Sequence, residues 1–308
     1  MTSILHTAVV SSPAVRPPPG SPTLNAQLPD DTTLGPIRLR VSDVGRTGAW
    51  MRRILGLHAL PEAADCSVFG TAAGVPWVEL KEVPGAHSVP EHGLIGLYHY
   101  ALLLPTRADL GRFLLHLREQ EEPFGSSDHL FSEAIYLTDP DGITVEVYAD
   151  RPRDTWAYRD GQVIATLDPL DARGLLDEAR DTRWQGAPPG TTLGHLHFYT
   201  RDLGVARRFY MDGLGFGLAT GLIPDALFVS AGGYHHHVGL NVWAAGQRQS
   251  SLTDAGLDCW TLVVAEDSDR EALARRLQSL AVRMRRDGAS FEVQDPWGIS
   301  IRVVSART

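Results

Sequence analysis

The sequence predicts an α+β fold made of four strand–helix–strands (βαβββ) units that form two cupped mixed sheets. The first observation is a repeated marker: the Leu-Gly pairs at Gly35 and Gly194 lie 159 positions apart, and the turns "DPDG" at Asp139 and "DPWG" at Asp295 lie 156 apart. Two markers at nearly one offset indicate a tandem of two similar halves. The second observation is strand-like alternation on both sides of a helical stretch, repeated within each half.

The halves divide the 308 residues into four segments. We expect a flexible N-terminal segment over 1–33, because it is rich in Pro and Ser. Two domains of two units each are predicted over 34–151 and 191–308. The intervening 152–190 is predicted to be a linker with a short helix in "LDARGLLDEARD".

Each unit opens with a strand and a helix and closes with strands. The opening pairs are "LGPIRLRVSD" with "VGRTGAWMRRILGL", "GLYHYALLLP" with "TRADLGRFLLHLREQ", "GHLHFYTRD" with "LGVARRFYMDGLG", and "LDCWTLVVA" with "SDREALARRLQSLA". The closing strands are "CSVFGTA" and "VPWVELKEV", "EAIYLTD" and "ITVEVYA", "ALFVSA" and "HVGLNVWA", and "SFEVQD" and "ISIRVVS".

Strand alternation assigns side chains to faces, because neighbours point to opposite sides. In "GHLHFYT", His195, His197 and Tyr199 oppose Leu196 and Phe198. An apolar face under helices and a polar face opposite are typical of a cupped sheet that holds a ligand.

The amino-acid composition limits the classes of function that are open to this protein. A hydrophobic fraction of 43% and a charged fraction of 21% are typical of a globular protein. A net charge of −9 without a basic block argues against nucleic-acid binding, and no apolar run is long enough to span a membrane. The two cysteines, Cys66 and Cys259, provide no disulfide framework, so we expect a cytoplasmic protein.

Several long motifs carry a resemblance to a known family. They are "GLYHYALLLP", "SSDHLFSEAIYLTDPDGITVEVYADRPRDTW", "LGHLHF" and "LFVSAGGYHHHVGLNVWA". With the four repeated units, the chain resembles the vicinal oxygen chelate superfamily of glyoxalases, extradiol dioxygenases and bleomycin-resistance proteins. Within it, the motifs are most similar to those of two-domain bacterial catechol-2,3-dioxygenases.

The resemblance implies metal ligands on the first and last strands of units. The first-strand position falls at Pro36, His99, His195 and Cys259, and the last-strand position falls near Glu79, Glu146, Asn241 and Arg302. Two histidines and one carboxylate, which bind non-haem Fe(II) on one face, occur only when units two and three are combined: His99, Glu146 and His195. We therefore expect a site built across the halves, with His197 as the competing ligand to His195. Units one and four are expected to form a pseudo-site closed by Arg–Glu pairs.

Four further residues are candidates for acid–base catalysis or substrate contact. In the "YHHH" run, His235 and His237 are predicted to share the face of Asn241, with His236 pointing away. His129 is a candidate, with a solvated turn as its alternative. Tyr148 shares the predicted face of Glu146, and a core tyrosine is its alternative.

The resemblance implies extradiol cleavage of a catechol-type aromatic by dioxygen, with Fe(II) or alternatively Mn(II) as cofactor. One alternative is glyoxalase-like isomerisation or epimerisation, which Asn241 disfavours because it is a poor fourth ligand. Another is a metal-free binding or resistance protein, which has no need of the three ligands together. Since one chain can complete the site, a homodimer is optional.

Overall fold

The computed structural model describes residues 27–63, 65–179 and 182–306. Most of the predicted flexible segment, residues 1–26, lies outside the described residues, and the first strand begins at Thr33. The architecture is α+β, with two curled eight-stranded sheets flanked by a few helices, as predicted.

The first half contains two βαβββ units. The first unit consists of β1 (Thr33–Val41), α1 (Val44–Trp50), β2 (His58–Ala63), β3 (Cys66–Gly70) and β4 (Pro76–Glu82), and α1 continues as a π-helical turn (Met51–Leu55). The second consists of β5 (Gly96–Leu104), α2 (Arg107–Glu119), β6 (Gly125–Asp128), β7 (Ser132–Thr138) and β8 (Thr144–Asp150).

The segment between the halves is structured. It contains a 3₁₀ turn (Arg153–Thr155), a small hairpin of β9 (Tyr158–Arg159) and β10 (Gln162–Val163), and α3 (Ala172–Ala179). The helix predicted in this segment is therefore present. It packs so closely on α2 that a Cβ at Gly111 would lie 2.1 Å from the carbonyl oxygen of Leu175. The exact domain bounds, 34–151 and 191–308, stay a prediction.

The second half repeats the pattern. The third unit consists of β11 (Thr192–Tyr199), α4 (Leu203–Arg207), β12 (Gly217–Thr220), β13 (Ala226–Ser230) and β14 (Val238–Asn241), and α4 continues as a π-helical turn (Arg208–Gly213). The fourth consists of β15 (Gly256–Val264), α5 (Asp267–Ser279), β16 (Met284–Asp287), β17 (Ser290–Gln294) and β18 (Ser300–Ser305).

Each sheet combines one unit from each half. One sheet has the order β12-β13-β14-β11-β5-β8-β7-β6, and the other has the order β16-β17-β18-β15-β1-β4-β3-β2. The halves are joined by antiparallel pairing of β5 with β11 and of β1 with β15. The prediction that unit two meets unit three is confirmed.

The side chains of β5 point alternately to the apolar core and to the concave face of the sheet. Tyr100, Leu102 and Leu104 are buried in the main apolar core beside α2, whereas His99 and Ala101 point to the opposite face. Thr106 begins α2 by accepting the backbone N–H of Asp109, which fixes how the helix leaves β5. Among the described residues, no helix is long and apolar enough to cross a membrane.

Candidate metal centre

Three central strands of one sheet bring the predicted ligands together. Ala101 on β5 is the register partner of Glu146 on β8 and of His195 on β11. His99 precedes Ala101 by two residues and so points to the same face. Ala101 is fully buried, and its methyl group leaves room for the longer side chains on both sides.

The ligand atoms of the three residues form a compact triangle. Glu146 Oε2 lies 3.1 Å from His99 Nε2 and 3.1 Å from His195 Nε2, and the two nitrogens are 3.3 Å apart. Neighbouring ligands of an octahedral ion with bonds of about 2.1 Å lie about 3.0 Å apart. Because this spacing matches the triangle and all three residues are at most 3% exposed, the group fits one divalent cation held on a single face.

The electrostatics favour, for His99 and Glu146, the protonation states that a metal needs. Burial lowers the pKa of His99, which favours the neutral imidazole. Burial alone would raise the pKa of Glu146, but His195 and His99 outweigh it and hold the pKa well below its usual value. Neutral imidazoles and a carboxylate are the metal-binding forms. The Nδ1 atoms of both histidines are buried without a hydrogen-bond partner among the described residues.

The competing ligand, His197, is held by another residue. Its Nε2 lies 3.0 Å from Nδ2 of Asn241, which donates because an amide nitrogen cannot accept. The Oδ1 of Asn241 accepts the backbone N–H of Trp243. The structure therefore brings His195 to the triangle and leaves His197 in the wall, and no fourth protein ligand comes from Asn241.

A cavity of about 230 Å³ opens beside the triangle. Its further lining residues are mainly aromatic and aliphatic side chains and histidines: Tyr98, Ser127, His129, Phe131, Tyr136, Ala165, Leu167, His197, Thr220, Ile223, Phe228, His235, His236 and Trp243. Ala165 and Leu167 come from the segment between the halves, so this segment forms part of the wall and is more than a linker.

Tyr98 reaches the cavity because of a β-bulge. His99 pairs with His197 and Leu97 pairs with Phe198, so Tyr98 is the extra residue on β5. A bulge re-aims side chains, which breaks simple alternation. Tyr98 stacks on Tyr199 with ring centroids 4.5 Å apart, and its ring lies 4.7 Å from that of His99.

The predicted orientation of the "YHHH" run is wrong. It assumed a strand from Tyr234, whereas β14 begins at Val238 and the run follows Gly232 and Gly233, both with positive φ. His236, expected to point away, lines the cavity with its ring 4.1 Å from that of His195. His237 lies outside this cavity, where its Nδ1 accepts the backbone N–H of Ala231.

A chain of hydrogen bonds links His236 to a carboxylate. Asp150 Oδ1 lies 2.9 Å from His235 Nε2, and His235 Nδ1 lies 2.8 Å from His236 Nδ1. A carboxylate only accepts, so His235 donates from Nε2, and with His235 as a neutral imidazole its Nδ1 accepts from His236. This arrangement leaves Nε2 of His236 unprotonated.

His129 and Tyr136 form a second polar pair. His129 Nδ1 lies 2.9 Å from the carbonyl oxygen of Thr166 and must donate to it, so its Nε2 accepts the hydroxyl of Tyr136 at 2.7 Å. His129 is therefore a half-buried residue that lines the cavity, and it is not a solvated-turn residue. Tyr136, which the sequence analysis missed, is the cross-strand partner of Glu146, and this register could have identified it.

Tyr148 has the role of a core tyrosine. Its hydroxyl bonds Tyr234 at 2.7 Å, and Tyr234 donates to Asp150 at 2.9 Å. The Tyr148 ring packs against His195 with centroids 4.9 Å apart, and it does not line the cavity. A Cβ at Gly194 would lie 2.0 Å from the Tyr148 hydroxyl, so this close packing requires the glycine.

The other sheet has Arg–Glu pairs on its corresponding face. Arg38 binds Glu79 at 2.8 Å, and Arg302 binds Glu292 of β17, which was not among the predicted residues, at 3.3 Å. A guanidinium cannot lose its proton to bind a metal, so these pairs make this face a poor cation site.

Comparisons with known proteins agree with this geometry. The family model described as "Glyoxalase/Bleomycin resistance protein/Dioxygenase superfamily" matches residues 33–147. A catechol-2,3-dioxygenase of Bacillus subtilis is 40% identical over 271 residues, which is 87% of this chain and 95% of the relative. Biphenyl-2,3-diol 1,2-dioxygenase 3 of Rhodococcus globerulus is 31% identical over 123 residues, 38% of this chain and 64% of the relative.

Solved structures show the same fold at low sequence identity. A putative dioxygenase from Bacillus subtilis has a TM-score of 0.61 at 13% identity, covering 91% of this chain and 86% of that one. Glyoxalase I from Zea mays has a TM-score of 0.55 at 16% identity, covering 89% and 92%. The chain belongs to the glyoxalase/bleomycin resistance protein/dioxygenase superfamily, whose members are the vicinal oxygen chelate proteins.

Proposed function

We propose that this protein is a non-haem, metal-dependent extradiol dioxygenase that opens the ring of a catechol-type diol with dioxygen. The observation that carries the proposal is the buried triangle of His99, Glu146 and His195, which provides ligands on one face only. The names of the two dioxygenase relatives support the same reaction class.

His99, Glu146 and His195 would hold the cofactor, for which we propose Fe(II), with Mn(II) as the alternative that accepts the same ligands. When bound, the ion supplies Lewis acidity toward the diol oxygens and open positions for small ligands.

The cytoplasmic location also stays a prediction, supported by two unpaired cysteines.

The side chains around the triangle position the substrate and its protons. The aromatic walls exclude water and orient the ring. Tyr136 donates its hydroxyl proton to His129, so its oxygen is free to accept a hydrogen bond from a substrate hydroxyl. A proton that Tyr136 receives from the substrate would be matched by the one that it passes to Nε2 of His129. His236 offers Nε2 as a proton acceptor, and His235 and Asp150 keep it in that tautomer. We therefore assign acid–base roles to His236, His129 and Tyr136, with His235 as a positioning residue.

The experiment is ring cleavage after anaerobic loading. The protein receives one equivalent of Fe(II) and catechol without air, and oxygen is then admitted. We expect a yellow ring-fission product, consumption of one dioxygen per catechol, and loss of both in Glu146→Gln. Bound iron without product from any catechol would favour the isomerase alternative, and failure to bind metal would favour a metal-free binding protein.

A further inference from the structure

The charge and polarity of the cavity wall indicate which catechols the site accepts. We infer that the substrates are uncharged catechols with an apolar substituent and that carboxylated catechols are rejected; this inference rests on the proposed function. Among the described residues, no lysine or arginine lines the cavity, and its only carboxylate is the ligand Glu146.

Apolar side chains line a path from the buried end of the cavity to solvent. Phe131 and Phe228 are 5% and 7% exposed, Ala165 and Ile223 are half-buried, and Leu167 and Trp243 at the rim are 77% and 52% exposed. The Phe228 ring lies 5.0 Å from that of His236 and 5.3 Å from that of His197, so the path starts next to the triangle. A substituent on the substrate ring would extend from the diol along this wall toward solvent.

A carboxylate on the substrate would find no cationic partner here. Arg151 of the adjacent segment binds both oxygens of Asp128 at 2.7 Å. Arg153 donates to the carbonyl of Gly232 and lies over the ring of Trp156. Burying an unpaired anion beside Glu146 is unfavourable.

The test compares catechol, 4-methylcatechol, 4-ethylcatechol and 3,4-dihydroxybenzoate with the Fe(II)-loaded full chain. Anaerobic calorimetry measures Kd, and ring fission after oxygen is admitted measures kcat/KM. We expect affinity to rise about threefold to fourfold per added methylene. We expect 3,4-dihydroxybenzoate to bind at least about 100-fold more weakly than 4-methylcatechol, as for an unpaired buried charge. Equal or tighter binding of 3,4-dihydroxybenzoate would overturn the inference.

A charge variant identifies the cause of the preference. Leu167→Arg places a cation at the exposed rim, and Leu252→Arg is the matched control, because Leu252 is 76% exposed and lies outside the cavity. We expect Leu167→Arg alone to improve 3,4-dihydroxybenzoate binding about twofold to fivefold, the range of an exposed ion pair. A gain in both variants or in neither would overturn the assignment.

The two proposals fail in different ways. Preferential binding of alkylcatechols without any ring-fission product would overturn the dioxygenase reaction and leave the binding preference standing. Ring fission of carboxylated and alkyl catechols at equal kcat/KM would overturn the preference and leave the reaction standing.

Discussion

Replacing Glu146 by Gln tests how much of the metal affinity depends on the only anionic ligand. Gln keeps the volume of the side chain, which is 2% exposed, but removes its charge and provides a weaker ligand to the ion. Replacing residues that only support metal ligands raises Kd about 10–100-fold. We therefore expect at least a 100-fold increase from replacing a ligand itself.

The effect on stability follows from linkage. At 100 times the wild-type Kd, bound metal stabilises the native state by about 2.7 kcal/mol. With a 100-fold weaker Kd, the same concentration contributes about 0.4 kcal/mol. Because 1 kcal/mol shifts Tm by about 2–4 °C in chains of 150–250 residues, we expect Fe(II) to raise Tm by about 5 °C in the wild type and about 1 °C in Glu146→Gln.

Anaerobic differential scanning calorimetry with and without Fe(II) measures both shifts. Glu133→Gln is the matched control, because Glu133 is an equally buried carboxylate on neighbouring β7 that pairs with Arg107. We expect this control to lower Tm without metal yet keep the full metal-induced shift. An unchanged shift in Glu146→Gln, or its loss in Glu133→Gln, would refute the reasoning.

Three further predictions concern substitutions of Ala101, Glu79 and Asp139. Ala101→Val adds bulk between Glu146 and His195, and we expect about 5-fold to 150-fold weaker Fe(II) binding in a chelator competition, because overpacking costs about 1–3 kcal/mol. Glu79→Gln, at the equivalent position of the other sheet, should leave Fe(II) content unchanged, because Glu79 binds Arg38. The stability of the wild type should fall between about pH 4 and pH 7, because burial raises the pKa of Asp139 from 3.8 to about 7. Urea unfolding of Asp139→Asn should show no such fall.

The sign for Asp139 follows from the raised pKa. The folded state favours the protonated carboxyl, so this contribution is complete below about pH 4 and is lost as the pH rises through about 7. We expect the advantage of Asp139→Asn over the wild type to grow by an amount on the order of 4 kcal/mol across this range. A constant difference at all pH values would contradict the assignment. Unchanged Fe(II) affinity in Ala101→Val would contradict the first of these predictions, and loss of Fe(II) in Glu79→Gln would contradict the second.

Alternation along regular strands predicted the part of the site that lies in regular sheet. His99, Glu146 and His195 lie on β5, β8 and β11, where the period of two holds from His99 to the end of β5 and from His195 to His197, and the repeat offset fixes which strands are equivalent. The repeats therefore indicated the four units, and the ligand positions that the family resemblance implies indicated the pairing across halves.

The residues that were missed lie where this period fails. Tyr98 reaches the cavity through a bulge, and His236 does so from a turn that begins with two glycines of positive φ. Ala165 and Leu167 belong to a segment without regular periodicity, so only the three-dimensional packing places them in the wall. Tyr148 shares the parity of Glu146, but its hydroxyl bonds Tyr234 instead of facing the cavity.

The most direct test of the site is metal content per chain after anaerobic reconstitution and removal of free ion. We predict one Fe(II) per chain in the wild type, and loss of the metal in His99→Ala and in His195→Ala, although these residues come from opposite halves. His197→Ala, which removes a neighbour held by Asn241, should keep the metal. Full metal content in either His99→Ala or His195→Ala would contradict a site shared between the halves.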